Sequence, residues 1–126
     1  MADPYGYRAL KVYRLAYRLA MEIYRASKDF PIDERYSLTD QIRRSSRSIV
    51  AAIVEGYRKR YYQRLFLLKL VDADGECAET QVWLDFAKDC GYLTESLHRE
   101  LAAGYFEIGK MLAGMKSYPE KFARGS

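Results

Sequence analysis

Leu38-Thr39-Asp40-Gln41-Ile42-Arg43-Arg44-Ser45-Ser46-Arg47-Ser48-Ile49-Val50-Ala51-Ala52-Ile53-Val54-Glu55-Gly56-Tyr57-Arg58 spells out one amphipathic helix. Leu38, Ile42, Ile49 and Ile53 fall on one side, while Arg44, Arg47 and Arg58 fall on the other. That is the periodicity of a helix laid against a core. Ser37 precedes the run and Asp40 follows it by three residues. This is a capping-box arrangement, in which the serine hydroxyl takes an orphan N–H and the carboxylate suits the helix N-terminus. Gly56 reads either as a close-packing point or as a loosening of the last turns.

The same period recurs on both sides. Upstream, a helix runs from about Gly6 to Lys28, with Lys11, Arg14, Arg18, Glu22 and Arg25 along a polar face and Val12, Leu15, Ala16, Leu19 and Ile23 opposite. Phe30 precedes Pro31, a position biased away from the helical region, so that helix has ended by then. Downstream, a third helix runs from about Tyr61 to Cys90; Gly91 is its left-handed terminator and Tyr92 supplies the apolar contact that accompanies such a cap. A fourth starts at Thr94 and Glu95, carries Leu97, Leu101, Tyr105, Ile108, Leu112 and Met115 on one face, and ends before Pro119. Glycine and proline sit at boundaries, and no stretch alternates as a strand does. Short connections force neighbouring helices antiparallel. The expected fold is all-α: an up-down-up-down antiparallel four-helix bundle, one domain over residues 1–126, with helices at about 6–28, 38–58, 61–90 and 94–116. Arg124-Gly125-Ser126 reads as an expression remnant or a frayed tail.

A chain of 126 residues can build a core without staples. It has no run of roughly 20 apolar residues and no charged-then-apolar leader pattern, so the expected location is the cytoplasm. Cys77 and Cys90 are 13 residues apart on one helix, roughly 20 Å, beyond the ~7 Å Cα limit for a bridge. With no second thiol or histidine at ligand spacing, both are expected to be small buried residues. The net charge of +4 is unevenly spread: residues 1–64 hold 14 Lys+Arg against 7 Asp+Glu, and residues 65–126 hold 7 against 10. Such asymmetry points to a polyanionic partner, or to one half pairing with the other.

Catalytic readings fare poorly. A ferritin-like metal centre needs two Glu-x-x-His motifs, and Glu95-Ser96-Leu97-His98 supplies one around the only histidine. Asp72, Glu76 and Glu79 share a face of the third helix, with Asp74 beside them; pairing with neighbouring arginines or plain solvation explains them better than acid–base chemistry. Gly75 inside that helix implies close backbone approach by another helix. No serine or cysteine has a base and an orienting group, and no phosphate-binding glycine loop is present. The expectation is a non-enzyme without cofactor or metal. The candidate nucleic-acid-binding set is Arg14, Arg18, Arg43, Arg44, Arg47, Arg58, Lys59, Arg60 and Arg64, with Tyr57, Tyr61 and Tyr62 interleaved in its last group. Guanidinium groups fork onto phosphates and rings stack on unpaired bases, so RNA or single-stranded DNA is the expected ligand. The rival reading is a solvated or salt-bridged surface. Twelve tyrosines in so short a chain add amphipathic contact surface and an expectation of self-association.

The run from Leu38 to Ile49, followed by Ile53-Val54-Glu55-Gly56-Tyr57-Arg58-Lys59-Arg60, resembles the bacterial four-helix proteins encoded in intervening sequences of 23S ribosomal RNA genes. Ala78-Glu79-Thr80-Gln81-Val82-Trp83-Leu84, the Gly91-Tyr92-Leu93 turn and the opening pattern from Tyr13 to Tyr24 ahead of Phe30-Pro31 match the same family. The resemblance implies a protomer that assembles into a ring, commonly a homopentamer. A related branch, the accessory variability determinant of diversity-generating retroelements, implies a reverse transcriptase and nucleic acid as partners. Val50 and Ala52 stand where the family commonly has a proline or small residue and then an asparagine, so a polar contact is lost there. Arg43 and Arg44 transfer as motif positions, either of them a possible partner of Glu79 or Glu55. Two functions follow: a nucleic-acid-binding accessory oligomer, or a structural oligomer or protein-docking scaffold.

Overall fold

In the computed structural model, which describes residues 6–123, Ile42, Ile49 and Ile53 are at most 1% exposed, and the helix that carries them, α2, spans Leu38–Arg58. Around it stand α1 (Lys11–Ser27), α3 (Gln63–Asp89) and α4 (Glu95–Ser117), with a single-turn α5 (Glu120–Ala123) after Pro119. Each long helix meets two others: α1 packs on α2 and α4, and α3 on α2 and α4. Directions follow from the contacts. Ser27 at the end of α1 meets Arg43 at the start of α2, while Gly6 lies against Tyr57. Across the next seam Arg44 meets Glu76 and Glu79, and Glu55 meets Lys69. Across the third, His98 meets Asp85 and Lys116 meets Asp74. Every seam is antiparallel, as short connections require. The ending at Arg124-Gly125-Ser126 lies outside the described residues.

The apolar stripes close on one another. Val12, Ala16, Leu19 and Ile23 of α1, the α2 isoleucines, Phe66, Leu70 and Leu84 of α3, and Leu101, Tyr105, Ile108 and Leu112 of α4 form one buried cluster. Ser45 and Thr80, both fully buried, hydrogen-bond to each other across the α2–α3 seam at 2.8 Å, which satisfies two hydroxyls that would otherwise be costly to bury. Ala52 packs into this core, and Val50 lies half-buried against it.

Several boundaries differ from the sequence reading. Gly6–Ala9 forms a 3-10 turn and Leu10 is extended, so α1 begins at Lys11; the turn folds back until Tyr7 meets Tyr13, with centroids 5.2 Å apart. Ser37 does not cap α2. Its hydroxyl donates to Glu34 at 2.6 Å, and the same carboxylate oxygen accepts the Leu38 N–H at 3.4 Å. Glu34 thus does the capping, from the short 3-10 turn Ile32–Glu34. Tyr92 donates to the other Glu34 oxygen at 2.9 Å and stacks near Phe30. The Ser37 hydroxyl first, and then the Tyr92 hydroxyl, hold the Glu34 carboxyl below its ordinary value. The third helix starts at Gln63 because Lys59–Tyr62 form a turn, closed by the Tyr62 N–H to the Lys59 carbonyl. Its end follows expectation: Gly91 has φ +82°, the Tyr92 N–H reaches the Ala87 carbonyl and the Gly91 N–H reaches the Lys88 carbonyl, the paired bonds of a Schellman cap. Thr94 accepts the Leu97 N–H at 3.1 Å and caps α4.

Two glycines divide by their surroundings. A Cβ on Gly104 would lie 2.7 Å from Leu19 Cδ1, so α1 and α4 approach closely there. Gly75, expected to mark such an approach, is exposed, and a Cβ would meet nothing within 4 Å. Gly75→Ala should therefore stabilise the protomer by up to ~1 kcal/mol through helix propensity. Gly104→Val should destabilise it by about 1–3 kcal/mol through overpacking. Urea melts of the two variants beside wild type check both signs.

The cysteines also divide. Cys77 is buried with its Sγ 3.2 Å from the Tyr105 carbonyl, and burial, aided by Asp74, pushes its thiol up to about 11. Cys90, expected buried, is exposed, because it follows the last turn of α3. A thiol reagent should modify one cysteine in native protein and two in denaturant, since reaction needs an accessible thiolate; mass spectrometry of the adducts reads this out.

Candidate functional site

The predicted cations do not form one patch. Arg44, on the flank of α2 facing α3, pairs with Glu76 at 3.3 Å and with Glu79, which also accepts the Trp83 indole N–H at 3.0 Å. Arg18 pairs with Glu22 one turn on, and Arg14 Nε donates to the Arg8 carbonyl. Arg60 lies against the rings of Tyr57 and Tyr61, at 4.1 and 4.5 Å, and donates to the Tyr57 carbonyl and the Tyr61 hydroxyl. These four are partnered within the protomer. Glu76 and Glu79 thus take the expected arginine of a neighbouring helix, whereas Asp72 and Asp74 pair with lysines, Lys69 of α3 itself and Lys116 of α4.

Arg43 and Arg47 turn instead toward α1, with Arg44 at the border between the two sides. Their Cζ atoms lie 4.9 and 5.8 Å from the centre of the Tyr24 ring, and Lys28 Nζ lies 4.9 Å from the same centre. Arg43 Nε donates to Ser27 Oγ at 2.7 Å, which fixes its position. The three cations line an open groove of about 900 Å³ with Arg35, Arg44, Thr39 and Ser48, and Asp40 is its one acidic residue. Among the described residues no carboxylate pairs with Lys28, Arg35, Arg43 or Arg47. The tyrosine face stabilises a nearby cation by about 0.5–2 kcal/mol, and it must offset the mutual repulsion of three. An arriving anion would remove that repulsion.

At the far end of α2, Arg58, Lys59 and Arg64 are exposed and have no ion pair among the described residues, and Tyr61 and Tyr62 are exposed beside them. A third surface runs along α3. Leu68, Val71, Gly75, Ala78 and Val82 are exposed at spacings of three and four, with Leu65 and Phe86 at the ends of the row. Such spacing is that of a seam between helices. The His98 imidazole, offered by the sequence as half of a metal motif, is hydrogen-bonded to Asp85 at 2.8 Å. Among the described residues no three His, Cys, Asp or Glu side chains gather as for a metal, and no helix is long and apolar enough to cross a membrane.

Sequence reasoning missed Tyr24, Lys28 and Arg35 as site residues. Tyr24/Lys28, in the last turn of α1 and just after it, and Arg43/Arg47 on α2 are both i, i+4 pairs, a visible signal. Which pairs meet depends on how the two helices face each other.

These features define an all-helical, four-long-helix protein with a cationic groove on the α1–α2 side. Residues 8–114 match the family model of the 23S rRNA-intervening sequence protein, and the chain belongs to that family. It is similar to the crystal structure of a protein of unknown function from the S23 ribosomal protein family of Bacteroides thetaiotaomicron VPI-5482, with 26% identity, a TM-score of 0.77, and coverage of 84% of this chain and 95% of that one. Among curated proteins none matches.

Proposed function

We propose that the protein is a non-enzymatic, homo-oligomeric accessory protein of the bacterial cytoplasm that binds nucleic acid, RNA or single-stranded DNA. The observation that carries this reading is the gathering of Lys28, Arg43 and Arg47 around one tyrosine ring with no paired carboxylate. Phosphates supply the missing charge, and Arg58, Lys59 and Arg64 extend the contact. The exposed α3 row supports self-association, in a ring of the pentameric kind the family resemblance implies; a reverse transcriptase is the protein partner belonging to the same reading. A gel-shift titration with structured RNA and single-stranded DNA tests it. Binding should weaken steeply with salt, because each neutralised phosphate of a single strand contributes about −0.7 to the slope of log K against log salt. Absence of salt-sensitive binding sinks the proposal.

The pairing of Arg44 with Glu76 and Glu79 favours a second reading, a structural or protein-docking scaffold whose arginines hold helices together. On that reading, reversing Arg44 and Arg47 together would break assembly; a double variant that stays assembled in sedimentation but loses nucleic acid in the gel shift overturns it.

A further inference from the structure

Along α1, Tyr13, Tyr17 and Tyr24 follow one another by four and seven residues, so all three share one flank of the helix. The Tyr24 ring, lying between α1 and the Arg43 and Arg47 side chains, shows that this flank borders α2. The rings form a chain: Tyr7 to Tyr13 centroids are 5.2 Å apart and Tyr13 to Tyr17 5.9 Å. Tyr17 ends the chain toward Tyr24 and is 52% exposed. The Tyr24 ring already carries three cations, whereas among the described residues no cation is placed over Tyr17. Cations with no paired carboxylate among the described residues and an exposed aromatic ring therefore lie on one seam, about seven residues or roughly 10 Å apart. That equals about three nucleotide steps of a stacked strand at ~3.4 Å each.

We infer that the α1–α2 seam is a track for single-stranded nucleic acid, in which Lys28, Arg43 and Arg47 hold the backbone and Tyr17, backed by Tyr13, stacks an unpaired base. This rests on the nucleic-acid reading above and narrows it. A duplex keeps its base faces inside its own stack, so it gains charge neutralisation from the arginines and nothing from Tyr17. A strand with exposed bases gains both.

The test is fluorescence anisotropy of the full-length protein with a labelled single-stranded oligonucleotide, and with the same oligonucleotide annealed to its complement. Tyr17→Ala should weaken strand binding at least about five-fold, leave duplex binding unchanged and leave the salt slope of the strand unchanged, because no charge is removed. Tyr17→Trp should keep wild-type affinity for the strand. Arg43→Gln with Arg47→Gln should instead flatten the salt slope for strand and duplex alike. The inference is overturned if Tyr17→Ala binds the strand as wild type does, if Tyr17→Trp loses as much as Tyr17→Ala, or if wild type holds duplex as tightly as strand. In those outcomes the broader reading survives. If wild type binds neither nucleic acid, both fall together. Circular dichroism of each variant confirms that the helices persist.

Discussion

Phe66→Ala is expected to lower the unfolding free energy by about 3–5 kcal/mol, the usual range for deleting a buried aromatic ring, and to cost more than any other change considered. Phe66 is fully buried one turn into α3. Its ring lies 5.7 Å from that of Phe122 in α5, and Gly56 of α2 packs beside it. A Cβ on Gly56 would stand 3.1 Å from Lys69 Cβ, so this glycine is a close-packing point between α2 and α3. The ring therefore joins three elements beneath the turn that displays Arg58, Lys59 and Arg64. The cavity left by alanine removes contacts from all three at once. Guanidinium denaturation monitored at 222 nm measures the loss, and a change below about 1 kcal/mol would mean that the ring is not packed as described.

Reversing Arg43 and Arg47 together should weaken nucleic-acid binding at least about a hundred-fold. Each charge-assisted contact contributes about 1.5–3 kcal/mol, so two of them lost already reach that factor. Reversal also faces the phosphates with carboxylates. Stability should stay within about 1 kcal/mol of wild type, because relief of the crowding around Tyr24 offsets the lost Arg43–Ser27 bond. Arg44 behaves differently. Arg44→Glu sets a third carboxylate against Glu76 and Glu79, and its effect falls on the α2–α3 seam.

The contrast between Arg43 and Arg44 explains what could be read from the sequence. The helices were legible because burial imposes a period on the chain: Ile42, Ile49 and Ile53 announce α2 without any knowledge of what lies opposite. Gly91 announced the end of α3 because its left-handed conformation penalises a side chain. Arg43 and Arg44 are neighbours in sequence, yet a step of roughly 100° between successive residues turns one toward α1 and the other toward α3. One meets Tyr24 with other cations, and the other meets two carboxylates. No local pattern distinguishes them, since the difference lies in which helix stands on each side. The same holds for Gly75 and Gly104, both mid-helix, where only the second has a neighbour. Ser37 departs from the capping-box pattern for a local reason: Glu34, in a turn with no periodicity to reveal it, offers a charged acceptor to both the serine hydroxyl and the Leu38 N–H.

The central claim is that the cations around Tyr24 bind the phosphates of nucleic acid. Its most direct test is the affinity of wild type and of Arg43→Glu/Arg47→Glu for one labelled single strand across roughly 50–200 mM salt. Wild type should bind with a steep negative slope of log K against log salt, and the folded double variant should lose at least about a hundred-fold in affinity at the low-salt end. Equal affinities and equal slopes for the two proteins would contradict the claim.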